Sequence, residues 1–155
     1  RAGLGASRPL RPIAPKAITL TVRNIPSRYT QDRLMKEWVP DGSYNYLHLP
    51  FNSQRQRTAG FVLMNFTSHQ AAAAFQKKWH GKFLLHHGRT RALDVVEAFV
   101  QGYTENLRNF ATKYARSEVS ARFLPATFNG VVRLNTRKEM MKALASQSTT
   151  HESSV

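Results

Sequence analysis

The stretch Ala59-Gly60-Phe61-Val62-Leu63-Met64-Asn65-Phe66 decides the fold of this chain. A strand pattern runs straight out of a glycine and ends in Met-x-Phe, with Phe61 and Leu63 on the outward face. Upstream, Leu20-Thr21-Val22-Arg23-Asn24-Ile25-Pro26 supplies a partner. There Ile18, Leu20 and Val22 alternate with Thr19, Thr21 and Arg23, as a half-buried strand requires, and Pro26 ends it.

Between the two strands, Thr30 is a candidate N-cap for a helix over Gln31 to Val39, with Leu34, Met35 and Trp38 on one face and Pro40-Asp41-Gly42 as its stop. A second strand, Tyr44 to Leu49, turns Leu47 and Leu49 inward and Tyr46 and His48 outward. Residues 50–58 read as a polar loop holding Arg55 and Arg57. Downstream, Thr67-Ser68 caps a helix from Ala71 to Trp79, Gly81 closes it, and Ala92 to Ala98 forms a fourth strand with Leu93 and Val95 inward.

The order β-α-β-β-α-β predicts an α+β, ferredoxin-like fold: a four-stranded antiparallel sheet with two helices on one face. An extra C-terminal helix from about Thr104 to Tyr114, reaching to about residue 115, carries Leu107, Phe110, Ala111 and Tyr114 as its apolar stripe. It is expected to pack against or across the sheet. Residues 18–112 form the domain. Residues 1–17 read as a flexible basic lead-in, 116–145 as an irregular basic extension with a turn at Phe128-Asn129-Gly130, and 146–155 as a Ser/Thr-rich disordered tail.

A chain of 155 residues has room for one domain with a real core. Its 23 Lys and Arg against 9 Asp and Glu give a net charge of +14. The excess is not confined to one tail, because the domain itself holds twelve basic and six acidic side chains. Polyanions are the natural partners of such a surface. The absence of cysteine excludes disulfides and Cys-based zinc sites. No apolar run approaches the roughly 20 residues of a membrane span, and no secretory leader is evident, so a nuclear or cytoplasmic setting is expected. The chain starts at Arg1 without a methionine and reads as a piece of something longer.

The two diagnostic strands resemble the octamer and hexamer motifs of an RNA-recognition motif (RRM). The run Leu20 to Thr30 with its Asn24-Ile25-Pro26-Ser27-Arg28-Tyr29-Thr30, then Gly42 to Pro50, Gly60 to Phe66 and Ala98-Phe99-Val100-Gln101-Gly102, resembles the C-terminal RRM of the Mei-two-like RNA-binding proteins. The likeness covers about residues 18–112 and implies regulatory single-stranded RNA binding without catalysis or cofactor. An RRM stacks bases on its central strands. Of the usual platform positions only Phe61 carries a ring, since Thr21 and Leu63 occupy the others, and Glu97 stands where the family tends to have Tyr. Tyr46 and His48 share the face and shift the expected platform toward the second strand. Arg23, Arg55 and Arg57 are placed to hold phosphates.

A protein-interaction module with weak or no RNA binding is the alternative, its partner on the helical face or the C-terminal extension. A helix over the sheet would favour it. His80, His86 and His87 lack Cys or a carboxylate set at ligand spacing and read as a polar loop, so no metal site is expected. Asp94 and Glu97 lie three apart on a strand and do not share a face, which argues against a paired-carboxylate acid/base site.

Overall fold

The computed structural model describes residues 7–114 and 119–153. Residues 1–6 of the expected lead-in, 115–118 of the expected extension and 154–155 of the expected tail lie outside the described residues. In chain order the elements are β1 (Thr19–Arg23), α1 (Gln31–Glu37), β2 (Tyr44–His48), β3 (Phe51–Asn52), β4 (Arg57–Thr58), β5 (Phe61–Phe66), α2 (His69–Trp79), β6 (Asp94–Glu97), α3 (Tyr103–Lys113), a 3-10 turn at Ala121–Phe123, β7 (Ala126–Asn129), β8 (Val132–Arg133) and α4 (Thr136–Ser153).

The RRM sheet is present in the order β6-β1-β5-β2, with all neighbours antiparallel. Side-chain alternation sends Leu20, Val22, Val62, Met64, Leu47 and Val95 to one face, where α1 and α2 cover them. Trp38 anchors that layer, its ring edge-on to Phe75 at 5.1 Å and to Trp79 at 5.6 Å. Both helices start where the sequence places their caps: the Thr30 Oγ1 accepts from the Arg33 amide and the Ser68 Oγ from the Ala71 amide. A bulge between Tyr44 and Tyr46 puts Tyr44 into the helical core and Tyr46 on the opposite face.

The structure departs from several of these expectations. The sheet has six strands, not four, because β7 pairs with the free edge of β2 (Tyr46 opposite Thr127, Leu47 opposite Ala126) and β8 continues it. The extension is therefore not irregular, and the tail expected to be disordered is part of α4 through Ser153. Gln31 joins the extension to the domain: its Nε2 donates to the Leu124 carbonyl at 2.9 Å and its Oε1 accepts from the Leu49 amide at 2.8 Å. α4 starts at the buried Thr136, whose hydroxyl donates to the Pro125 carbonyl at 2.6 Å.

The described part of the lead-in is tied down as well. The Gln76 Nε2, buried in α2, donates to the Arg11 carbonyl at 2.8 Å, and the Ala14 amide donates to the Glu97 carboxylate at 2.7 Å. Glu97, the acidic departure from the family pattern, thus holds backbone. Residues 50–58 are not wholly loop, since β3 and β4 pair Phe51 with Thr58 and Asn52 with Arg57 in a short hairpin.

Candidate nucleic-acid interface

Strand registry assigns the outward face of the sheet row by row. Arg23 stands between Phe61 on β5 and Asp94 on β6; Thr21 stands between Leu63 and Val96; Thr19 stands opposite Asn65. On β2, His48 is opposite Leu63 and Tyr46 opposite Asn65. All the outward residues named from the alternation are on this face, but they do not share one environment.

α3 and α4 lie over the β2 side. Tyr46 is 1% exposed, in a cluster with Leu107 and Ala143 against which Leu63, Tyr103 and Met140 pack, and His48 is 5% exposed. The Phe110 ring meets His48 edge-on at 5.0 Å. Tyr46 and His48 are therefore not an open stacking platform. The apolar stripe of α3 buries against Tyr46 and His48 and against Ala143 and Met140 of α4. Burial pushes the Tyr46 phenol up and the His48 imidazole down to about 4, the latter also through repulsion by Lys113, so His48 is neutral at physiological pH.

The covering helix is fixed by the Val-Gln-Gly segment. Gln101 Oε1 accepts from the Ile18 amide at 2.8 Å and the Thr19 amide at 3.0 Å, while its Nε2 donates to the Thr19 and Ala98 carbonyls, each at 2.9 Å. The Gly102 amide donates to the Thr19 hydroxyl at 2.8 Å, which donates to Asn65 Oδ1 at 2.6 Å. Asn65 donates in turn to Asn45 at 2.9 Å. Gly102 has φ 102° and ψ 152°, a conformation open almost only to glycine, and it turns the chain into α3. Gly102→Ala is expected to cost about 1–3 kcal/mol, read as a shift in the urea midpoint at unchanged slope. α4 is held onto α3 by Arg108, whose Nε donates to the Ala143 carbonyl at 2.9 Å and which also pairs with Glu105. Tyr103 donates to Glu139 at 2.7 Å, which holds that carboxyl below its usual range.

What stays accessible is the β1–β5 end of the face. Phe61, Thr21, Leu63 and Val96 are partly exposed and Arg23 is exposed. Two basic recesses flank this strip. One, of about 240 Å³, is lined by Arg8, Arg23 and Arg91 with Asn24 and Asp94, the last lying 3.4 Å from Arg23. The other, of about 380 Å³, is lined by Arg55 and Arg57 with Ile25, Ser27 and Gly60. The structure thus groups Phe61, Thr21, Leu63 and Arg23, sets Arg55 and Arg57 beside them, and separates off Tyr46 and His48. The sequence reading missed Arg8 and Arg91, since nothing local marks a residue that packs beside β1 from so far along the chain.

Among the described residues no group of His, Cys, Asp or Glu is arranged to hold a metal ion. His80 instead ends α2, its Nδ1 accepting from the Val95 amide at 3.0 Å. None of the described helices is long and apolar enough to cross a membrane.

Protein MEI2-like 3 of Arabidopsis thaliana is 24% identical over 136 residues, covering 83% of this chain and 18% of that protein. Protein MEI2-like 7 of Oryza sativa subsp. japonica is 27% identical over 146 residues, covering 78% of this chain and 37% of that protein. The chain thus spans well under half the length of these relatives. Among solved structures, that of the Rna15 RRM with bound RNA (GU) aligns with a TM-score of 0.47 at 15% identity, covering 63% of this chain and 95% of that one. The profile of RNA recognition motif 2 matches residues 17–111, from the residue before Ile18 through nearly all of α3, and the chain belongs to that family.

Proposed function

We propose that this chain binds single-stranded RNA on the open β1–β5 strip, with one base stacked on Phe61 and the backbone held by Arg23 and by the arginines of the flanking recesses. The observation that carries the reading is the cross-strand pair Phe61–Arg23: a ring and a guanidinium side by side on the part of the sheet that α3 leaves uncovered. Thr21 and Leu63 give the strip a flat floor beside the ring, and Arg55 and Arg57 extend the positive track past Gly60. The family assignment and the net charge of +14 support the same ligand class.

Titration with a pool of short single-stranded RNAs at two salt concentrations tests this. The expected slope of log K against log salt is about −0.7 per phosphate neutralised, so four contacts give roughly −3. Phe61→Ala is expected to cost about 1–3 kcal/mol of binding, and Arg23→Ala to flatten the slope by about 0.7. Absence of binding at low salt ends the proposal. A peptide partner captured by a chain that ignores RNA would establish the protein-interaction reading instead, to which the helix over β2 gives some footing.

A further inference from the structure

Beyond the open strip, a second cleft of about 410 Å³ opens between the β3–β4 hairpin and the end of α3. Its walls are aromatic. On one side Phe51 and Phe123 are stacked at 4.4 Å with Arg122 over the Phe123 ring at 4.6 Å; on the other Phe110 and Tyr114 lie 4.5 Å apart. His48 lines the same cleft, is 5% exposed, and its ring makes no hydrogen bond among the described residues. Its ring nitrogens are not among the fully buried unpaired atoms of the described residues, so the imidazole edge belongs to the cleft rather than to the sealed interior. Among the described residues no carboxylate lines the cleft, and Arg122 and the nearby Lys113 put positive charge at its mouth. Its size is that of sites for small planar ligands.

We propose that this cleft is a second base-binding site, taking one nucleobase of single-stranded RNA between the Tyr114 and Phe123 walls, with the free ring nitrogen of His48 meeting the base edge and Arg122 the adjoining phosphate. It rests on the RNA-binding reading above and extends it to a second site. A neutral imidazole offers one donor and one acceptor, the complement that a base edge needs. The β3–β4 hairpin is the common wall of both sites: Phe51, Ser53 and Gln56 face the cleft, while Asn52, Arg55 and Arg57 face the recess beside Gly60. An RNA strand leaving Phe61 along Arg57 and Arg55 arrives at the cleft by following the hairpin. The buried Tyr46–His48 side of the sheet, lost as an open platform, would then contribute through the His48 edge that lines the cleft.

The test uses the whole chain and fluorescein-labelled randomised RNA decamers, with Tyr114→Ala, Arg122→Ala and Phe61→Ala compared by anisotropy and checked by circular dichroism. Tyr114→Ala is expected to weaken binding about 5- to 150-fold, the range for loss of one stacked base, and to do so again in the Phe61→Ala background. Arg122 is exposed, so its replacement tests the cleft without risk to the fold. Photo-crosslinking with 5-iodouridine decamers is expected to label a cleft ring as well as Phe61. Binding unchanged within twofold in Tyr114→Ala and Arg122→Ala, with crosslinks confined to Phe61, overturns the second site while leaving RNA binding intact, and hands the cleft to a protein side chain. Failure of the unaltered chain to bind any decamer overturns both readings together.

Discussion

Gln101→Ala is expected to cost about 2–4 kcal/mol and to release α3 from the sheet. Gln101 does in one side chain what a strand partner would do for several residues: it satisfies the amides of Ile18 and Thr19 and the carbonyls of Thr19 and Ala98. An alanine takes that partner from the amides of Ile18 and Thr19 and from the Ala98 carbonyl at the place where β1 enters the sheet, while the Thr19 carbonyl keeps its bond from the Ala98 amide at 2.9 Å. A typical intramolecular hydrogen bond contributes about 1 kcal/mol net, and a buried group left unmet costs more, so the sum is large for one substitution. Urea unfolding gives the energy, and amide exchange gives the location: protection should fall along Tyr103–Lys113 before it falls in β1 and β5. A change within about 0.5 kcal/mol, the range of an ordinary surface substitution, would show that the Val-Gln-Gly segment does not clamp the helix.

Acidification is expected to weaken the fold in a window set by His48. In the folded chain burial holds the imidazole near a pKa of about 4, whereas the unfolded chain takes up the proton at the ordinary 6.5. Stability from this group is therefore complete above pH 6.5 and is lost as the pH falls toward 4, by about 3 kcal/mol at the bottom of the window. The Glu139 carboxyl, lowered from 4.5, is stabilising above that value and contributes to losses only at lower pH. Because the two windows differ, His48→Leu should remove the limb between pH 6.5 and 4.5 and leave the more acidic one in place. Identical pH profiles for His48→Leu and the unaltered chain would mean that α3 does not keep His48 dry.

The strands and helices of the RRM core were legible because their signals are local. Alternation in Leu20–Arg23 and Phe61–Phe66, and the caps at Thr30 and Ser68, need no knowledge of distant residues. Their faces were legible too: Tyr46, His48, Thr21 and Leu63 all point away from α1 and α2. What covers a face is a long-range matter, and nothing in Tyr44 to Leu49 announces that Leu107 and Phe110 will lie on it. The bulge at Asn45 is equally silent, although it alone sends Tyr44 to the core.

The C-terminal third carries local signals for only part of its structure. Asn129-Gly130 between Thr127-Phe128 and Val131-Val132 is a recognised hairpin signal, and Lys138 to Ala145 is rich in strong helix formers. The Ser/Thr-rich run that follows outweighed the helical signal in the composition, while the structure shows that Thr136 and Ala143 are buried and hold the helix in place.

Pairing of β7 with β2 has a consequence for the behaviour of shortened chains. An outer strand with free amides and carbonyls is a template on which a second molecule can extend the sheet. In this protein that border is closed from within the same molecule by Ala126 and Thr127. A chain ending at Lys113 would keep the whole segment that the family profile matches yet bare the border at Tyr46 and Leu47, together with the rings that Met140 and Ala143 help to cover. The extension after α3 thus caps the β2 border from within the chain, and the unit in which that border is capped is longer than the unit that defines the family.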